Sequence, residues 1–373
     1  MTSRDFYDEP FDEGTLIKLE IFENYFEEWL PTFVGGKFKK PIQVFDLFAG
    51  IGYDQNGQEG SPIRILKVIN KFRNLLEQKN KKVNVFLNDI DQNKFKTLKS
   101  NIEEKIEELS IDNLISLTIT NKSFTDCLQT YQNQLSYGFN LLYIDQNGFK
   151  EINKKIFQSL IRLDTTDFIF FISSSFIHRF ANTPEVQKIH PNFDFNKIQN
   201  THRKLVHNVI CEEYQKYVPS DVSNYLLIPF SIMKSDKNNV YGLIFVCKHI
   251  LAADKFLDVV WKMNPTNGSA NFDIDDDLTK SQLHLFNGKI PTKIEKFQYE
   301  LKENILQGKI KNNKEAYIFT INQGHIPQHA HEIIEKMKKD NLIDYDSKSP
   351  LVNYDNVCKK NRILYYKVLN ENH

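Results

Sequence analysis

The stretch Val44-Phe45-Asp46-Leu47-Phe48-Ala49-Gly50-Ile51-Gly52 constrains the fold of this chain more than any other. Its apolar start reads as a buried strand, and it stops at two glycines one residue apart. Ser61-Pro62, a short loop later, suits the N-cap and first position of an amphipathic helix. Strand, glycine turn and helix start, in that order, form the usual seat of a nucleotide-like ligand. Glycine lets the backbone approach such a ligand where a Cβ would block it. The dinucleotide fingerprint requires G-x-G-x-x-G, and the sequence does not carry it here.

The same alternation continues along the chain. Strands are expected at 43–47, 83–87, 114–120, 140–144 and 167–172, with helices over 61–78, 92–108 and 151–163. A helix over 16–33 precedes them, with Leu19, Phe22, Tyr25, Phe26, Trp29 and Leu30 at helical spacing. Strand–helix alternation implies right-handed βαβ units and a parallel sheet covered on both faces. Two further runs, 225–233 and 240–248, flank the turn-rich 234–239 and read as an antiparallel hairpin. Residues 183–218 interrupt this order and read as a partly helical insertion, a lid or a target-recognition element. After Trp261 come a turn cluster (264–269) and an acidic run (273–277). Three helical patterns (292–307, 313–320, 326–340) and two short strands (342–345, 362–369) follow, the order of a winged helix. The expected division is a helical segment at 1–40, an α/β domain at 41–262, a linker at 263–288 and a winged helix at 289–373.

Lys+Arg and Asp+Glu both number 48, so any nucleic-acid surface must be a local patch. From Lys289 onward there are 15 Lys+Arg against 11 Asp+Glu, a mild basic excess. No two of Cys127, Cys211, Cys247 and Cys358 are close in sequence, which excludes a metal-finger or disulfide framework and fits a reducing cytosol. His202 and His207 lack Cys or carboxylate partners at ligand spacing, so no metal is expected. The acidic start is unlike a signal peptide, and no apolar run approaches the ~20 residues of a membrane span. A soluble, cytoplasmic protein is expected.

Asp46 to Gly52 resembles the first motif of class I S-adenosylmethionine-dependent methyltransferases. Five parallel strands closed by an antiparallel hairpin match the layout of their Rossmann-like sheet. The resemblance implies that the glycine turn passes under the methionine part of the cofactor, with Asp46, Phe48, Ala49, Gly50 and Gly52 as contacts. Asp46 suits a turn organiser or a partner for the cofactor's ammonium. Asp89, just past the second strand, would accept hydrogen bonds from the ribose hydroxyls, with Asp91 as a competitor. Both also suit solvated turn acids. Ser123 stands where many methyltransferases have an Asp for the adenine amino group. Asp145-Gln146-Asn147-Gly148 ends the fourth strand, where amino methyltransferases carry Asp/Asn-Pro-Pro-aromatic. Asp145 matches the first position, and both prolines are absent. Asp145 and Asn147 are the candidate catalytic residues, Asp145 also bordering the cofactor. Gln146, Ser173 and Arg179 are candidate substrate contacts. Ser173-Ser174-Ser175 and His178 lack a G-x-S-x-G elbow, which argues against a hydrolase.

Taken together, Asp46 to Gly52, Gly60-Ser61-Pro62, Asp145 to Lys150, Ser173 to Arg179, and Trp261-Lys262 with Gly268 to Phe272 resemble the three-Cys-motif partner protein family. Lys18-Leu19-Glu20 to Trp29-Leu30-Pro31 is similar to that family's opening helix. The resemblance implies a methyltransferase-like fold and a partner bearing a radical-type three-cysteine motif. Two activities follow as expectations. One is methyl transfer from S-adenosylmethionine to nucleic acid or a nucleic-acid-bound substrate. The other is a non-catalytic adaptor that uses the fold to dock its partner.

Overall fold

All five parallel runs form strands: β1 (Ile42–Asp46), β2 (Val83–Asn88), β3 (Ile115–Thr120), β4 (Phe139–Ile144) and β5 (Thr166–Ile172). The hairpin adds β6 (Leu226–Met233) and β7 (Val240–Cys247). This computed structural model describes residues 10–234, 239–278, 280 and 290–369. The acidic start before residue 10, the hairpin turn at 235–238 and much of the expected linker lie outside the described residues. Among the described residues no helix is long and apolar enough to cross a membrane.

The sheet runs β3-β2-β1-β4-β5-β7-β6. β1 pairs parallel with β2 and β4, and β7 pairs antiparallel with β5 and β6. This is the Rossmann-like class I methyltransferase layout with its antiparallel hairpin. Every residue of β1 and β4 is buried, as a strand covered on both faces requires. The side-chain amides inside these strands are satisfied internally. Gln43 Nε2 donates to Asn140 Oδ1 (2.7 Å), and Asn140 Nδ2 donates to Thr166 Oγ1 (2.8 Å).

Helix Glu13–Gly35, N-capped by Asp12, lies against the sheet. Phe22 stacks on Tyr143 of β4 at 4.3 Å between ring centres. Tyr25 Oη and Trp29 Nε1 both donate to Oδ2 of Asp167 on β5, at 2.8 and 3.0 Å. The expected 61–78 helix is instead two, Ser61–Lys71 and Arg73–Lys79, with Phe72 between them outside helical backbone angles.

The 183–218 insertion is helical, as Pro184–Ile189, Phe195–Asn200 and Val206–Gln215. It is not a free-standing lid. Val186, Phe193, Ile198, Ile210 and Tyr214 belong to the same core cluster as Phe157 and Phe168, so the segment is one of the layers that cover the sheet.

The chain divides into two compact units between Lys248 and His249. Helix Ile250–Met263 therefore groups with the C-terminal residues, whereas sequence composition changes only after it. Three more helices follow, Lys293–Leu306, Asn313–Asn322 and Pro327–Lys339, the first closed by a Thr292–Glu295 capping box. β8 (Ile343–Asp344) and β9 (Lys367–Val368) pair antiparallel as the wing.

Candidate cofactor and substrate site

The strand order reverses between β1 and β4, because the chain leaves β1 toward β2 and β3 and returns on the other side. Open α/β sheets bind ligands outside the carboxyl ends of their strands at such a switch point. Asp46, Asp89, Ser123 and Asp145 stand at or just past the ends of β1, β2, β3 and β4.

After β1 the backbone turns sharply. Gly50 and Gly52 have φ of 63° and 93°, in the region that favours glycine. A Cβ on Gly52 would lie 3.3 Å from Ile63 Cγ1, so the turn and the helix after it pack closely. Asp89 holds this turn in place. Its Oδ2 accepts from Gly50 N (3.0 Å) and its Oδ1 from Asp91 N (2.8 Å). Partial burial raises the Asp89 carboxyl above its ordinary range, against the lowering effect of those two bonds. Asp91 is otherwise occupied, since its Oδ1 caps the Gln92–Leu109 helix at Asn93 N and Lys94 N. Of the two acids, Asp89 faces the glycine turn.

Asp46 is fully buried, and burial pushes its carboxyl up to about 7. Its Oδ1 accepts from Phe48 N at 3.3 Å, the turn-organising bond; the Ser61 hydroxyl beside the carboxyl also counters the effect of burial, and Oδ2 lacks a hydrogen bond of good geometry. Ser123 caps the Phe124–Thr130 helix, accepting from Asp126 N and donating to Asp126 Oδ2 at 2.6 Å. A hydroxyl has one proton, so Ser123 offers a ligand only an accepting lone pair.

Asp145 is met by a residue that the sequence reading left out of the site. Lys18 Nζ, on the Glu13–Gly35 helix, reaches both carboxylate oxygens at 2.7 Å and lies 4.3 Å from the Phe171 ring centre. Gln146 departs from its expected role. It is buried, its Nε2 donates to the Phe171 carbonyl (2.8 Å) and its Oε1 accepts from Glu151 N (2.8 Å). It braces the loop from inside, so it does not face a substrate. Asn147 is exposed. Ser173 N donates to the Gly148 carbonyl (3.0 Å), which joins the ends of β4 and β5. Arg179 is exposed and donates to Asn239 Oδ1 (2.9 Å).

Asn88 and Asn121 also escaped the sequence reading. Asn88 Nδ2 donates to the Leu47 and Lys122 carbonyls, and its Oδ1 accepts from Thr120 Oγ1 and Lys122 N. Asn121 Nδ2 donates to the Asp89 and Ile90 carbonyls at 2.8 Å each. Together they fix the ends of β1, β2 and β3. The only signal in the sequence was a polar residue closing an apolar run, which every strand end shares.

Ser174 and His207 form a pair that resembles a catalytic dyad in distance alone, 2.7 Å from Oγ to Nδ1. His207 Nε2 lies 2.9 Å from the Leu243 carbonyl. A carbonyl only accepts, so Nε2 carries the proton and Nδ1 accepts from the serine hydroxyl. Both residues are completely buried, and burial lowers His207 to about 4. Gly242 makes room for the ring, because a Cβ there would lie 2.2 Å from Nε2. The pair is a strut between the start of the Ser174–Arg179 helix, β7 and the Val206–Gln215 helix. Ser174→Ala is expected to cost ~1–3 kcal/mol by leaving Nδ1 unsatisfied, measurable by urea denaturation. An unchanged midpoint would show that the bond does not stabilise the fold.

In the C-terminal unit, the Pro327–Lys339 helix does not present all the residues its sequence suggested. His329 is buried, with Nδ1 3.0 Å from His325 Nδ1. Lys338 donates to the Tyr345 and Ser347 carbonyls and pairs with Asp344 at 3.0 Å. Lys339 pairs with Glu335 at 3.2 Å, and Ile334 and Met337 face the core as expected.

A family model described as the GMT-like wHTH domain matches residues 271–350. That segment is a winged helix-turn-helix domain. No curated protein matches the chain. Among solved structures, the METTL16 MTase domain is similar at 13% identity, over 60% of this chain and 66% of that chain, with a TM-score of 0.31. This chain thus spans about two thirds of that one. A Legionella pneumophila protein, LPL1258, is similar at 10% identity, over 68% of this chain and 92% of that chain, with a TM-score of 0.38. A putative class I S-adenosylmethionine-dependent methyltransferase from Listeria monocytogenes is similar at 10% identity, over 66% and 64% respectively, with a TM-score of 0.29.

Proposed function

We propose that this chain is an S-adenosylmethionine-dependent methyltransferase acting in a reducing cytosol on nucleic acid or a nucleic-acid-bound substrate. The observation that carries the reading is the glycine turn at the sheet's switch point, tied to Asp89. The buried carboxyl of Asp46, with the Ser61 hydroxyl beside it, fits a ligand's ammonium group, and the positive φ of Gly50 and Gly52 fits backbone lying directly against a ligand. S-adenosylmethionine, when bound, supplies a sulfonium methyl group. Phe48 and Ala49 line the turn, Asp89 keeps lone pairs free for ribose hydroxyls, and Ser123 accepts from the adenine edge. Asp145 and Asn147 hold the acceptor, Asp145 once Lys18 yields one of its oxygens, and Ser173 and Arg179 contact the rest of the substrate. Positioning supplies most of the rate in such a transfer, so no strong acid or base is needed. The winged helix supports a nucleic-acid substrate, and the three-Cys-motif resemblance supports a radical-type partner protein. The independently folding modules would then divide near residue 248.

The Lys18–Asp145 pair favours a second reading, because a carboxylate engaged on both oxygens is not free to hold an amine. In that reading the fold is an adaptor that docks its partner without transferring a methyl group. Calorimetric titration with S-adenosylhomocysteine separates the two. Gly50→Val would be strained at φ 63°, so Gly50→Asn, which tolerates that conformation, is the cleaner variant. The expected result is binding by the native chain and at least a ~10-fold loss in Gly50→Asn, a change of about 1.4 kcal/mol, with little change in melting temperature. No binding by the native chain would leave the adaptor.

A further inference from the structure

The exposed charge of the C-terminal unit is gathered away from the Pro327–Lys339 helix. On Pro327–Lys339, Gln328 donates to Glu332, Glu335 pairs with Lys339, and Lys338 is turned inward. His331 and Lys336 are what that face has left for a polyanion, beside two acids.

A different surface holds exposed cations with few acids near. The turn before Asn313–Asn322 lies alongside the segment after residue 360. Asn313 Nδ2 donates to the Arg362 carbonyl (2.9 Å), Leu364 N donates to Asn313 Oδ1 (2.9 Å), and Tyr366 N donates to the Lys311 carbonyl (2.8 Å). Asn312 and Tyr365 form a β-bridge at the same place. These contacts bring Lys309, Lys311, Lys314, Lys360, Arg362 and Lys367 into one region, all exposed. None of the six forms an ion pair among the described residues. Of the nearby acids, Asp344 lies opposite Lys367 across the β8–β9 pair, Asp355 pairs with Lys359 at 2.7 Å, and Glu315 accepts from Lys311 N and Asn312 Nδ2. Tyr365, 70% exposed, stands among the cations with its ring open to solvent. In a chain whose charges balance at 48 each, this is a marked local segregation.

We infer that this patch, and not the Pro327–Lys339 helix, is where the chain grips a nucleic-acid backbone. The inference rests on the nucleic-acid reading above and names the surface that serves it. Phosphates spaced along a strand match a row of exposed Lys and Arg, and each one neutralised releases condensed counterions. Tyr365 adds a ring on which a sugar or base can stack. The arrangement reads backbone and not sequence, since it offers base edges no set of paired donors and acceptors. DNA and RNA share this phosphate chemistry.

Fluorescence anisotropy of the full chain on labelled duplex DNA, duplex RNA and a single strand, at about 50 and 200 mM salt, tests it. The native chain should bind at least one of the three and weaken steeply with salt. The triple variant Lys311→Glu, Lys360→Glu, Arg362→Glu should lose at least ~10-fold in affinity and flatten the salt slope by roughly 2–3, with an unchanged thermal melt. Lys336→Glu should stay within about twofold of native binding, on the same counterion argument. Native-like binding by the triple variant, or a larger loss in Lys336→Glu, would overturn the patch. So would the absence of binding by the native chain at low salt. None of these results touches S-adenosylhomocysteine calorimetry, so the methyltransferase reading stands or falls separately.

Discussion

Replacing Asp89 by alanine is expected to weaken S-adenosylhomocysteine binding by more than tenfold and to destabilise the apo protein as well. Hydrogen bonds to a charged group contribute ~1.5–3 kcal/mol each, and a ribose offers this carboxylate two hydroxyls. The same carboxylate holds Gly50 N and Asp91 N, so its removal loosens the turn that the cofactor would lie on. Asp89→Asn keeps one accepting oxygen and should fall between. Asp91→Ala removes only a helix N-cap, a cost of ~1 kcal/mol in stability, and should leave affinity within about threefold. Calorimetry and thermal melts on the three variants check this. The opposite ranking, with Asp91→Ala losing affinity and Asp89→Ala keeping it, would move the ribose ligand two residues along.

The second large effect is on stability against pH. Burial pushes Asp46 and Asp167 from the ordinary 3.8 to about 7 in the fold. Between those values the folded chain binds more protons than the unfolded one. The stability from each group is therefore full below about pH 4 and is lost as pH rises through about 7. At about 1.4 kcal/mol per pKa unit, a shift of about 3 units sets an upper bound of ~4 kcal/mol per group. Asp167→Asn leaves an uncharged oxygen to accept from Tyr25 and Trp29 and removes the titration. Urea denaturation from pH 5 to 8 should show Asp167→Asn gaining on the native chain by ~2–3 kcal/mol, the part of that span that lies above pH 5. Parallel curves for the two proteins would show that Asp167 does not hold its proton.

Period and punctuation made most of the fold legible. The runs that became β1, β4 and β5 are mostly apolar because parallel strands are covered on both faces. The site was legible in its backbone parts, since Gly50 and Gly52 are visible as letters and their conformation follows from their chemistry. Partners distant in sequence were not legible. Nothing local in Lys18 announces a bond to Asp145, 127 residues later. Gln146 looked like a substrate contact because it adjoins Asp145, but its side chain was free to turn inward and the loop there needed a brace. His329 sits at an N-terminal position of its helix, where base-reading residues belong, yet its side chain is drawn under by His325.

The helix ahead of the sheet has a practical consequence. A gene fragment trimmed to open at β1 would look complete by its strand count. It would leave Asp167 buried without its two donors, Tyr143 without its aromatic cover, and Asp145 without its cation. Soluble expression of such a fragment should therefore fail, and any assay on it would report on a damaged site. Recombinant pieces that keep residues from Asp12 onward retain the cap, the cover and the counter-charge together.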